Sequence, residues 1–138
     1  MPKRCAEAIT VAQLFLHADV DSSLSSAGAG DNGGVATLLV RLGDALIEQP
    51  GGVRRVLTLS RGTVEQAGPD LLHFAGTHDG HVYGHIPLEG APPASASAWP
   101  LRVTVRRGIR RLLRAAGRVD VLHLRMADVG SLAAADVA

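Results

Sequence analysis

Apolar and polar positions along the first half of the chain predict a strand, a helix and a second strand. Residues 10–17 are a compact apolar run with polar residues on both sides, and a run of this length favours a buried strand. Apolar residues recur at intervals of three and four over residues 35–47, which predicts an amphipathic helix. Pro50 and two glycines end this helix, and residues 55–60 form the second predicted strand.

The second half repeats this alternation after a polar, glycine-punctuated stretch, residues 61–80, to which no element can be assigned. Residues 81–87 predict a third strand, with Gly84 as a bulge or a close backbone approach. A basic amphipathic helix follows up to Gly117, a suitable C-cap. Residues 119–124 predict a fourth strand, and residues 127–130 turn into a further helix.

The order strand, helix, strand, strand, helix, strand, helix predicts an α/β fold with a Rossmann-like, doubly wound and mostly parallel sheet. The length of 138 residues and the 46% hydrophobic content fit one domain over residues 1–138. We expect this domain to be incomplete at its C-terminal end, because the sequence stops as a helix begins. Ligands of such sheets bind beyond the carboxyl ends of the strands, which singles out residues 28–34 and 125–130.

Net charge and cysteine content exclude only a few kinds of partner and site. The net charge of +1 and the pI near 8.1 do not by themselves indicate a nucleic-acid or membrane partner. Cys5 is the only cysteine, which excludes an internal disulfide and a cysteine-based zinc cluster. We find no apolar run long enough for a signal sequence or a membrane span. We therefore expect a soluble, cytoplasmic protein.

Two further groups of side chains can be interpreted either as ordinary structural residues or as functional sites. The basic helix carries six arginines: Arg102, Arg106, Arg107, Arg110, Arg111 and Arg114. We interpret them as a solvated outer face, with contact to a nucleic acid or an anionic surface as the alternative; a nucleic-acid partner is not expected, because stacking aromatics are absent. Four histidines near Asp79 invite a metal hypothesis: His73, His78, His81 and His85. Their spacing does not place them on one helical face, so we expect no metal.

The glycine-rich segment of residues 28–33 matches the dinucleotide fingerprint G-x-G-x-x-G. Residues 18–27 separate it from the first strand, and Asp31 would repel a phosphate. An NADP-binding domain, with Arg61 on the 2′-phosphate, remains one alternative. Another is a structural turn in which Asp31 or Asn32 caps the next helix. A P-loop is excluded, because its lysine and hydroxyl residue are missing.

Five segments, in order, resemble family 4 glycosyltransferases, which include sucrose synthases and sucrose-phosphate synthases. Asp31 to Gly34 is similar to the Asp-Ser-Gly-Gly element that precedes a helix in that family. The other similar segments are residues 55–61 (RVLTLSR), residues 84–90 (GHIPLEG), Trp99-Pro100 and residues 120–130 (DVLHLRMADVG).

The resemblance implies the N-terminal, acceptor-side half of a two-domain GT-B enzyme of the retaining type. It would transfer a hexosyl group from UDP-glucose or a similar donor to a sugar or sugar-phosphate acceptor, without a cofactor. Backbone N–H groups of Gly33 and Gly34 would face phosphate or sugar oxygens. The other implied binding residues are Asp31, Arg61, His123, Arg125 and Asp128. Asp128 could instead cap the following helix, and His123 could be an ordinary buried strand residue.

The sequence departs from the family pattern at two positions. Val35 replaces the polar residue that usually follows the paired glycines, and Arg125 replaces the second histidine of His-x-His. Arginine cannot act as a neutral base, although it can bind phosphate through two hydrogen bonds. We therefore assign no catalytic residue and expect the chain alone to be catalytically incomplete, with a donor-domain chain as a candidate partner. The alternative is an inactive binding module or remnant.

Overall fold

The structure, a computed structural model, describes residues 7–21, 23–24, 33–68, 71–74 and 78–138. These residues form five strands, four α-helices and two short 3₁₀ segments. The strands are β1 (Ile9–Phe15), β2 (Val53–Gly62), β3 (Leu72–Phe74), β4 (His81–Pro87) and β5 (Val121–Leu124). The helices are α1 (Gly33–Glu48), α2 (Val64–Ala67), α3 (Arg102–Ala116) and α4 (Val129–Ala135), and the 3₁₀ segments are Ser95–Ser97 and Trp99–Leu101.

All five strands belong to one sheet with the order β3-β4-β2-β1-β5. β4, β2, β1 and β5 are parallel, and β3 pairs antiparallel with β4 at the edge. The predicted α/β architecture with a mostly parallel sheet is confirmed. The unassigned residues 61–80 contain α2 and β3, which are four and three residues long, too short to show a hydrophobic period.

The chain winds from β1 outward to β2 and β4 and then returns, through α3, to place β5 on the other side of β1. α1 packs on one face of the sheet, and α3 and α4 pack on the other. The strand order therefore reverses between β1 and β5, where their carboxyl ends leave a crevice.

The two faces of the sheet differ in polarity, because successive side chains of a strand point to opposite faces. Buried leucine, isoleucine, valine and alanine side chains fill the face under α3 and α4. The face under α1 contains Gln13, Thr58 and His81, all buried. The Gln13 side-chain amide donates hydrogen bonds to the Leu39 carbonyl and to the Thr58 hydroxyl, 2.7 Å each. These bonds tie α1 to the two central strands.

α3 has the apolar side that the sequence predicts, with Val105, Ile109 and Leu112 buried against the sheet. Gly117 ends it with a φ of 78°, in the left-handed region that favours glycine. The predicted close approach at Gly84 is also present: a Cβ there would stand 2.9 Å from a Leu72 methyl carbon. Within the described residues, no helix is both long and apolar enough to cross a membrane.

Candidate binding cleft at the carboxyl edge of the sheet

The loops that follow β1, β2 and β4 enclose a cleft of about 560 Å³ at the carboxyl edge of the sheet. Polar and charged side chains line much of it: His17, Asp19, Arg61, Thr63, Glu65, Gln66 and Glu89. A smaller cavity next to it shares His17 and Arg61 and reaches Asp128 at the start of α4. The cleft thus extends to the β1/β5 crevice, where ligands of doubly wound folds bind.

Arg61, at the end of β2, is buried in the cleft wall and only 7% exposed. One terminal nitrogen of its guanidinium donates to the carbonyls of Leu88 and Gly90, at 3.0 and 2.7 Å. None of the ion pairs among the described residues includes Arg61. Burial lowers its pKa, although an arginine remains charged. The arginine therefore fixes the loop after β4 and leaves a buried positive charge without a carboxylate partner.

His17 and Asp128 join the carboxyl ends of β1 and β5. The His17 Nε2 atom lies 2.5 Å from the Asp128 Oδ2 atom. The other carboxylate oxygen of Asp128 accepts a hydrogen bond of 2.8 Å from the Ser131 N–H and so caps α4. Burial opposes ionisation of Asp128, but the hydrogen bonds from Ser131 and His17 outweigh it and lower its pKa. Asp128 is therefore a carboxylate with one oxygen directed to the helix and the other to the cleft.

A second pair of histidine and carboxylate lies on the β2 and β4 side of the cleft. The His85 Nδ1 atom lies 3.3 Å from an Asp19 carboxylate oxygen and 3.3 Å from the Ser60 hydroxyl oxygen. The Ser60 hydroxyl accepts a 3.0 Å hydrogen bond from the Val20 N–H. Gln66 donates to the other carboxylate oxygen of Asp19. These bonds hold the loop after β1 against the end of β2.

Gln66 reaches Asp19 because a capping box fixes the start of α2. The Thr63 hydroxyl accepts from the Gln66 N–H at 3.2 Å, and the Gln66 side chain accepts from the Thr63 N–H at 2.6 Å. Sequence reasoning missed Gln66, Asp19 and His17 as cleft residues. The Thr-x-x-Gln spacing was a signal for the first of them. The position of His17 at the end of the first predicted strand was a second signal, whereas nothing local marks Asp19.

The sequence-predicted site residues fall into separate groups. Arg61 and Asp128 line the connected cavities, and Asp128 belongs to the segment 125–130 that the carboxyl-edge argument selected. Gly34 is exposed in the first turn of α1, and Gly33 is the first residue of that helix. Asp31 lies outside the described residues, as do Gly28 and Gly30 of the same turn.

The last two predicted residues, His123 and Arg125, belong to the end of β5. His123 is half-buried and pairs in register with Gln13, and Arg125 is exposed just after the strand. Neither is among the residues that line the two cavities. The cleft therefore includes two of the predicted side chains and adds His17, Asp19 and Gln66.

Three of the four histidines of the metal hypothesis have separate carboxylate partners. His78 lies 3.1 Å from Glu48, His81 lies 2.7 Å from Asp44, and His85 pairs with Asp19 as described above. The side chain of His73 lies outside the described part of the structure. Among described residues, no group of three or more histidine, cysteine, aspartate or glutamate side chains could hold a metal ion.

Comparisons with protein-family models, with curated proteins and with solved structures found no match to this chain.

Proposed function

We propose that this chain is the acceptor-side domain of a nucleotide-sugar-dependent glycosyltransferase of the GT-B type and that the cleft binds a sugar phosphate. The resemblance of five ordered segments to family 4 glycosyltransferases supports this class. Two of those segments, residues 55–61 and 84–90, contribute Arg61 and the loop that Arg61 holds. UDP-glucose or a similar nucleotide sugar is the proposed donor.

The observation that carries the proposal is the buried charge of Arg61 in an open polar cleft. The carboxylates of Asp19 and Asp128 each have a histidine neighbour, whereas Arg61 has only carbonyl partners. A dianionic phosphate would supply the missing counter-charge, and charge-assisted hydrogen bonds to guanidinium are among the stronger ones in proteins. Asp128 and Asp19 would accept hydrogen bonds from sugar hydroxyls.

The proposal assigns binding to this chain and leaves the transfer step to a second α/β domain that binds the donor nucleotide. In family 4 enzymes the reaction occurs between the two domains, so we expect the chain alone to bind an acceptor without turning over UDP-glucose. A partner chain carrying the donor domain would complete the enzyme.

Calorimetric titration tests the binding site. We expect glucose 6-phosphate or fructose 6-phosphate to bind at least about tenfold more tightly than the free sugar, from the charge-assisted bonds that only the phosphate makes. Arg61→Lys keeps the charge but lacks the paired N–H donors with which a guanidinium binds a phosphate through two hydrogen bonds, and it should weaken binding of the phosphate. The matched control is Arg125→Gln, an exposed arginine outside the cleft, which should leave binding unchanged.

Other results would select the alternatives. Binding of NADP without binding of a sugar phosphate would indicate a dinucleotide-binding domain. Binding of neither would indicate a remnant. Loss of sugar-phosphate binding in Arg125→Gln but not in Arg61→Lys would indicate that the binding site is at the end of β5 and not in the cleft. Turnover of UDP-glucose by this chain alone, abolished by Gly34→Val, would contradict the assignment of acceptor binding without transfer to this domain.

A further inference from the structure

The outer face of α3 is a continuous basic strip. All six arginines of this helix are exposed, and residues 102–116 contain no acidic residue. Arg102 pairs with Asp136 at a distance of 2.6 Å. The other five arginines have no ion-pair partner among the described residues. Like charges four residues apart on a helix repel each other. The arginines are therefore less favourable for helix stability than alternating positive and negative side chains would be.

Two bulky apolar side chains accompany the arginines at the start of the helix. Trp99 is 54% exposed and Val103 is 58% exposed. Trp99 lies in the 3₁₀ segment that leads directly into α3, and Val103 is the second residue of α3, so both stand at the start of the basic helix. By the periodicity of an α-helix, Val103 is in line with Arg107, Arg110 and Arg114 along the outward face. The strip therefore combines positive charge with apolar side chains at one end.

We propose that this strip, formed by Trp99, Val103 and the arginines of α3, binds the surface of a membrane rich in anionic phospholipids. Arginine side chains pair with lipid phosphates, while a tryptophan with one polar edge is suited to the boundary between headgroups and acyl chains. α3 has 15 residues, so it would lie along the surface over about 22 Å, and its buried face would stay on the sheet.

The same features disfavour a nucleic acid as the partner. Proteins that bind nucleic acids usually carry a basic charge well beyond one helix, whereas the net charge here is +1 and the pI is near 8.1. Single-strand binders present several aromatic side chains for base stacking, and Trp99 is the only tryptophan of the chain. An exposed Val103 at one end of the strip gains nothing from a phosphate backbone, but it does gain from insertion among lipid chains.

The single tryptophan makes the test direct, because selectively excited tryptophan fluorescence of the full chain reports on Trp99 alone. We expect vesicles of equal parts phosphatidylcholine and phosphatidylglycerol to shift the emission to shorter wavelengths and raise its intensity. Vesicles of phosphatidylcholine alone should cause no change. High salt should reverse the shift, since screening weakens the attraction between the arginines and the anionic surface.

Two double variants with the same net charge distinguish binding by the strip from an effect of the overall charge. Arg107→Gln/Arg110→Gln should lower the vesicle partition coefficient by about 25-fold, at about fivefold for each arginine near an anionic surface. The control Arg41→Gln/Arg54→Gln removes two exposed arginines from α1 and β2, and its partition coefficient should stay within about twofold of that of the parent. Far-UV circular dichroism and unfolding curves would show that both variants are folded.

Three results would overturn the proposal. The first is no emission shift with anionic vesicles. The second is an equal loss of binding in both double variants, which would indicate a non-specific charge effect. The third is tighter binding to a DNA or RNA oligonucleotide than to anionic vesicles at the same salt concentration, lost in Arg107→Gln/Arg110→Gln, which would make the strip a nucleic-acid surface. None of these depends on whether the cleft binds a sugar phosphate.

Discussion

Gly43 of α1 lies directly over the ring of His81 in β4, and a Cβ at position 43 would stand 2.2 Å from the His81 Cε1 atom. The ring is 2% exposed and cannot move away, because both of its nitrogens are hydrogen-bonded. Nδ1 lies 2.7 Å from the Asp44 carboxylate and Nε2 lies 2.7 Å from the Thr58 hydroxyl. The helix and the sheet can therefore approach this closely only with glycine at position 43.

Gly43→Ala should destabilise the fold by about 1–3 kcal/mol, the range for overpacking a filled interior, despite the better helix propensity of alanine. The measurement is the free energy of unfolding in urea. Gly34→Ala is the matched control in the same helix, since a Cβ there meets no atom within 4 Å. An equal effect at both positions, or a stabilisation by Gly43→Ala, would contradict the close contact with His81.

The hydrogen bonds around His81 also determine its tautomer. An ionised Asp44 accepts, so Nδ1 carries the proton, and Nε2 accepts from the Thr58 hydroxyl. The Gln13 amide in turn donates to the Thr58 oxygen. The hydrogen bonds that run from the Gln13 amide nitrogen through Thr58 and His81 to Asp44 therefore all form only with a neutral imidazole. Protonation of Nε2 would place a second donor against the Thr58 hydroxyl.

This arrangement predicts a loss of stability in mild acid. Burial lowers the pKa of His81, and the opposing effect of Asp44 does not compensate, while the nearby His78 lowers the pKa further. The unfolded chain binds a proton near pH 6.5, whereas the folded chain does so only at lower pH, so the free energy of unfolding should fall below about pH 6.5. Urea unfolding at about pH 7.5 and about pH 5 would measure this fall.

A His81→Gln variant is the control for this pH dependence. It should lower the free energy of unfolding at neutral pH, because it breaks a buried hydrogen-bonded chain, but it should flatten the decline between pH 7.5 and 5. Tyr83, whose pKa is raised mainly by burial, does not ionise in this range and cannot mimic the effect. An unchanged slope in His81→Gln would assign the acid sensitivity to other groups.

The sequence predicted the elements that have a clear hydrophobic period. It did not predict the contacts that depend on how those elements pack together. The strand at residues 81–87 and the helix ending at Gly117 agree with β4 and α3, because alternation and an arginine-rich amphipathic pattern are local signals. The sequence predicted no role for the buried Gln13, and His81 entered only the metal hypothesis. Their positions under α1 follow from strand pairing, which no local pattern encodes.

The candidate site was predictable to a similar degree. Asp128 lies in a segment that the rule for ligands of parallel sheets selected, whereas Arg61 was named from the family resemblance and the NADP alternative. His17 follows the first strand too, and the same rule could have selected it. Its pairing with Asp128 required the strand order, since 111 positions separate the two residues in the chain. Gln66 belongs to a helix too short to predict.

The two bonds of Asp128 allow its structural role to be separated from its role in the cleft. Asp128→Ala removes the cap of α4 and should cost about 1 kcal/mol of unfolding free energy. Asp128→Ser can still accept from the Ser131 N–H, so it should remain close to the parent in stability. Both variants lose the carboxylate that lies 2.5 Å from His17. Both should therefore weaken sugar-phosphate binding to a similar extent, whereas only the alanine variant should unfold earlier in urea. Parent-like binding by Asp128→Ser would restrict Asp128 to helix capping and remove it from the proposed site.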